Sequence, residues 1–84
     1  MSMTAEDYAL RCETIAFLML KRIEVREDLI RRLGSKPCTE FGTIEVQMPD
    51  GSTKMIVVPY PALFQEAHNL DKRIMDELRQ LTDT

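Results

Sequence analysis

Eighty-four residues allow a single domain spanning 1-84, and a chain this short buries only about 60% of the surface its unfolded form exposes, so self-association is expected to supplement its core. Hydrophobic residues at 44% and charged residues at 30% describe a folded chain and exclude a disordered one. Eleven Lys and Arg against 14 Asp and Glu leave a net charge of −3, which excludes a wholesale phosphate binder; any nucleic-acid contact must be local or built by assembly.

A first helix is expected to start at Thr4, whose hydroxyl can accept an orphan amide while Glu6 and Asp7 suit the positive helix end. No Gly or Pro interrupts residues 8–33, Arg31 and Arg32 favour the negative end, and Gly34 supplies a left-handed stop before Pro37. Cys12, Ile15, Met19, Ile23, Ile30 and Leu33 recur at helical steps and are read as the stripe that faces a partner in the same chain. Ala16, Phe17, Leu18 and Leu20 fill the remaining angles, so residues 15–20 are apolar almost all round. Ile15, Phe17, Leu18, Met19 and Leu20 are therefore expected to form an oligomer interface.

The period then changes. Ile44, Val46 and Met48 alternate with polar residues up to Pro49-Asp50-Gly51, and Met55-Ile56-Val57-Val58 returns as an apolar strand, which predicts a β-hairpin with Gly51 at positive φ. The unbroken apolar run predicts burial on both faces of the second strand. Pro61 suits the first position of a second helix, where Leu63, Ala67, Leu70, Ile74, Leu78 and Leu81 make an apolar stripe. The fold class expected is α+β, mainly α: two antiparallel amphipathic helices with an inserted hairpin, in the order α-β-β-α.

Sites for chemistry are sparse. Cys12 and Cys38 form no paired ligand motif and His68 is far from both in sequence, so no metal and no cofactor is expected; Cys12 is read as a small core hydrophobe. The three glycines are isolated, each with a turn or cap to explain it, and make no phosphate loop. An enzyme is not expected. The longest apolar run, residues 15–20, is far short of the roughly 20 residues of a membrane span, and a cytoplasmic location is expected. Lys21, Arg22, Arg26, Arg31 and Arg32, with Lys36 beyond, are the candidate nucleic-acid contacts. Glu24, Glu27 and Asp28 among them make the cluster read as a salt-bridged surface in one chain and as a basic rim in a ring of copies.

The amphipathic helix, the short hairpin with its Gly-containing turn, and the proline-started helix from Pro61-Ala62-Leu63-Phe64 through Leu70 to Leu78 together resemble the oligomerising part of phage-type terminase small subunits, also found in gene transfer particles. The resemblance covers residues 8–81. It implies a homo-oligomeric ring in the cytoplasm of a bacterial or infected host cell that recognises viral double-stranded DNA and presents it to a large terminase subunit with ATPase and nuclease activities. Where many members carry an amino-terminal helix-turn-helix, here only Met1 to Asp7 precede the first helix, so a reduced form or a fragment is expected, with DNA held through phosphates by the ring itself. The competing expectation is a small helical adaptor or chaperone-like subunit that binds protein and no nucleic acid.

Overall fold

The computed structural model describes residues 3–35 and 37–82, in the order α1 (Ala5–Ser35), β1 (Phe41–Gln47), β2 (Thr53–Pro59) and α2 (Pro61–Thr82). The expected α-β-β-α arrangement is the one observed. At the start of α1 the Asp7 amide donates to Thr4 Oγ1 at 3.1 Å, the cap that the sequence predicts. Its 31 residues make a rod of about 46 Å. Its end differs from expectation: Gly34 belongs to the last helical turn and has no positive φ, so it is not a left-handed stop. The Ser35 hydroxyl instead donates to the Arg32 carbonyl at 3.0 Å, satisfying one of the terminal acceptors.

The two helices pack antiparallel. Tyr8 donates its hydroxyl to the Leu81 carbonyl at 3.2 Å, Arg11 meets Glu77 at 3.3 Å, and Arg22 meets Asp71 at 2.9 Å. Further along, Val25 and Leu29 close on Ala67, flanked by Tyr60, Leu63, Phe64 and Leu70. The face of α1 that turns to α2 is thus Arg11, Ile15, Leu18, Arg22, Val25 and Leu29, at alternating steps of four and three. On α2 the matching row is Leu63, Ala67, Leu70, Ile74, Glu77 and Leu81, with Glu77 and not Leu78 in the inward register.

This overturns the expected stripe on α1. Of Cys12, Ile15, Met19, Ile23, Ile30 and Leu33, only Ile15 is buried. The physical reason lies in the arginines. Arg11 and Arg22 sit in the inward row, where their stems lie along the helix contact while their cations reach carboxylates on α2, so a row with two charged members pairs better with α2 than an all-apolar one. Cys12 is correspondingly exposed and is not a core residue.

The hairpin pairs β1 with β2 antiparallel, Glu45 opposite Met55. Its turn follows the sequence expectation: Gly51, at φ 91°, donates its amide to the Met48 carbonyl at 3.0 Å, and Met48 donates to the Ser52 carbonyl at 2.7 Å. Asp50 secures it by accepting from the Ser52 amide at 2.9 Å and hydroxyl at 2.6 Å, and those bonds hold its carboxyl below the usual carboxylate range. The hairpin lies on α2, and none of its Cα atoms comes within 8 Å of one in α1. Along β1, three positions meet successive turns of α2: Gly42 abuts Pro61, Glu45 bonds Gln65, and Gln47 bonds His68. Gly42 is required by that approach and by no turn, since a Cβ there would lie 2.7 Å from Pro61 Cγ.

Tyr60 joins the parts. Its amide donates to the Glu40 carbonyl at 3.0 Å, its own carbonyl accepts from Leu63 at 3.0 Å and Phe64 at 3.2 Å to open α2, and its ring packs beneath the Arg32 guanidinium, 5.8 Å from the ring centre. It does this at φ 48°, a left-handed value unusual for an aromatic residue.

The result is a layer measuring 51 × 29 × 12 Å, barely one helix thick. Its radius of gyration, 16.0 Å, exceeds the roughly 12 Å of a compact chain of this length. Its solvent-exposed surface of 6346 Å² likewise exceeds the about 5,100 Å² expected for its mass.

Candidate functional site

The most unusual surface belongs to α1. One residue on from the inward row runs a second row, Cys12, Ala16, Met19, Ile23, Arg26, Ile30 and Leu33, again at steps of four and three. Each helical residue turns about 100°, so this row faces away from α2 at a right angle to the first. Every member is exposed, Ile23 at 47% and Ile30 at 58%. The helix therefore spends its more polar row on its own chain and leaves its more apolar row to solvent. Beside this row Phe17 and Leu20 are exposed too, and the Lys21 ammonium lies 5.5 Å from the centre of the Phe17 ring.

The expected oligomer interface divides accordingly. Phe17, Met19 and Leu20 stand on the outside, whereas Ile15 and Leu18 are buried within the chain, Leu18 at 2% exposure. The residues that sequence reasoning missed as surface are Ile23, Ile30 and Leu33, which it had assigned to the inward stripe. The signal that could have found them is the pair of offset rows, each with a heptad spacing, on one uninterrupted helix.

The basic residues are scattered around the helix. Arg22 faces α2 and is paired with Asp71, while Arg31 is nine residues on, roughly half a turn away in angle. Arg31 and Arg32 share one carboxylate, that of Asp28, with Arg32 at 3.4 Å, so the two cations keep one net charge between them. Lys21 and Arg26 are exposed and form no ion pair among the described residues. Lys36 lies outside the described residues. The five described positions do not make one patch on a single chain. Lys54, on the hairpin, is carried by an element that packs on α2 alone.

His68 and Gln65 turn out to be structural. The Gln47 amide donates to His68 Nε2 at 3.1 Å; the Glu45 amide donates to Gln65 Oε1 at 3.3 Å, and Gln65 Nε2 returns a bond to the Glu45 carbonyl at 3.4 Å. An open cleft between hairpin tip and α2 is lined by Met48, His68, Lys72, Met75 and Arg79, which brings two methionines together but no nucleophile beside a base. Cys38 is half-buried and donates to the Glu40 carbonyl at 3.1 Å. Partial burial is the main cause raising the Tyr60 hydroxyl above its usual value of 10.0, with the Cys38 thiol beside it adding to the rise. Among the described residues no three His, Cys, Asp or Glu side chains gather where a metal ion could be held, and no helix is long and apolar enough to cross a membrane.

No family model matches this sequence, and comparison with curated proteins and with solved structures returns no significant match.

Proposed function

We propose that this chain is a self-assembling DNA-packaging component of the terminase small-subunit type, in which copies associate through the outward row of α1 into a ring and the assembled basic rim holds duplex DNA for a large ATPase and nuclease subunit. The observation that carries the reading is the exposed apolar row from Cys12 to Leu33, which a monomer would leave in water and which a neighbouring copy would cover. The basic positions support it only through multiplicity. Arg26 lies within the row that the neighbouring copy would cover, so one chain offers the exposed Lys21 and the charge that Arg31 and Arg32 keep after sharing Asp28, and a ring repeats that set.

Light scattering on a sizing column at low and high salt tests assembly, and DNA binding across the same salt series tests the rim. A large closed species whose DNA affinity falls steeply with salt is expected, and a monomer at all concentrations would sink the reading. The adaptor reading is favoured by one observation, the pairing of Arg11 and Arg22 with Glu77 and Asp71 and the sharing of Asp28 by Arg31 and Arg32, which leaves few free cations on the chain. Its sign would be a defined protein partner and no salt-dependent DNA affinity.

A further inference from the structure

We infer that the outer edge of β2 is a second interaction surface, which pairs with β2 of another copy of this chain, antiparallel about a two-fold axis. The inference is separate from the outward row of α1 and goes beyond the packaging reading.

It follows from which backbone groups point where. In an antiparallel pair, opposite residues alternately exchange hydrogen bonds and turn their N–H and C=O groups outward. The bonds that bracket the hairpin, Tyr60 to Glu40 and Met48 to Ser52, join even-numbered residues. Glu45 and Gln47 bond side chains of α2 through their amides, so they point away from β2. The odd positions of β1 and their partners are therefore the outward ones. By the register, Val57, Met55 and Thr53 are the partners of Thr43, Glu45 and Gln47. These three residues of β2 direct their N–H and C=O groups to the side where the two-stranded sheet has no neighbour.

The two edges differ. That of β1 is closed by Gln65 and His68. That of β2 is open and apolar, with Met55 exposed at 65% and Val57 at 71%, and its interior has no proline and a single charge, Lys54. Such an edge is a template for another strand. A second copy is the occupant that fits. Because β1 is capped, β2 cannot add to the β1 edge of a neighbour, so copies cannot chain head to tail through their hairpins. The open edge of a second copy is β2 itself, and a symmetric contact closes. With the axis at Met55, Thr53 lies opposite the other copy's Val57, the two Met55 side chains meet, and Lys54 lies opposite Ile56, so no like charges are directly opposed. Every outward N–H and C=O of residues 53, 55 and 57 then finds a partner. A hairpin of two strands is marginal in water, and four strands remove that weakness.

Hydrogen exchange on the full chain, resolved to single amides over a dilution series, tests this together with solution mass. In the associated protein the amides of Met55 and Val57 should exchange more than about tenfold slower than in the dilute monomer, and particles should hold an even number of copies. Met55→Lys should halve the particle mass by placing two ammonium groups face to face, while Ile44 and Ile56, whose amides bond within the hairpin, keep their protection. Met55 and Val57 amides that exchange without protection in the associated protein would overturn the inference, whatever the variant does. So would an odd number of copies, a chain that stays monomeric, or protection that appears only when a strand from a different protein is supplied.

Discussion

Gly42, Tyr60 and Asp50 are each held by a constraint that a single substitution can isolate. At Gly42 the obstacle is the Pro61 ring, which is tied to the backbone and cannot swing aside as a long side chain would. Gly42→Ala should therefore lower stability by about 1–3 kcal/mol in denaturant titration, because strand and helix must separate. Tyr60 combines a favourable ring contact with an unfavourable backbone. Both Tyr60→Ala and Tyr60→Gly lose the ring, but Gly accepts positive φ freely, so the Gly variant should be more stable than the Ala variant by about 1 kcal/mol. Asp50 and Tyr60 also make opposite contributions to pH dependence. The carboxyl of Asp50 is lowered from 3.8 by the Ser52 hydroxyl, so its contribution is present above 3.8 and is lost as pH falls through the lower folded value. The Tyr60 hydroxyl is raised above 10.0 by partial burial, so its contribution is present below 10.0 and is lost as pH rises through the folded value. Thermal melts across pH should show Asp50→Asn flattening the acid limb and Tyr60→Phe the alkaline one.

At the scale of elements, the two rows of α1 have different work. Leu18 is the most buried residue of the inward row, and Leu18→Ala should cost about 3 kcal/mol. Ile23, one row over, is exposed, so Ile23→Asp should leave the melting of the dilute monomer within about 0.5 kcal/mol of the parent and lower the mass of the assembled form. The ion pairs that select the inward row are partly exposed, and each contributes roughly 0.5 kcal/mol. That is small against the core, yet enough to bias which of two neighbouring heptad rows α2 takes. Helix α2 was the more legible element, since Leu63, Ala67, Leu70 and Ile74 face inward as spaced and Pro61 opens it as expected. The substitution of Glu77 for Leu78 in the inward row was hidden because only the position of Arg11 makes a buried-side carboxylate favourable.

For the whole molecule, thinness is the governing property. A layer 12 Å deep has no second layer to cover what its helices and hairpin leave apolar. If the proposed assembly gathers the basic rim, DNA affinity belongs to the particle and not to the chain. Ile23→Asp should then abolish DNA binding with every arginine and lysine intact, and an Arg31→Ala, Arg32→Ala double variant should weaken binding while leaving particle mass unchanged; gel shift and light scattering on the same samples read both. Retained affinity in the Ile23→Asp chain at concentrations where it is monomeric would separate DNA binding from assembly and remove the rim from the proposal.

Local chemistry made much of this protein readable without coordinates. The Thr4 cap, the Pro49-Asp50-Gly51 turn, the proline start at Pro61 and the spacing of α2 each depend on a few neighbouring residues, whose preferences are strong and independent of the rest of the chain. Three matters were decided only by tertiary structure: which row of α1 faces α2, which strand edge is capped, and why Gly42 is glycine. In each, the deciding partner lies far along the chain: Asp71 and Glu77 for the row, Gln65 and His68 for the edge, and Pro61 for the glycine. Two rows of equal spacing on one helix are indistinguishable by periodicity, and packing against a particular charged neighbour is what breaks the tie.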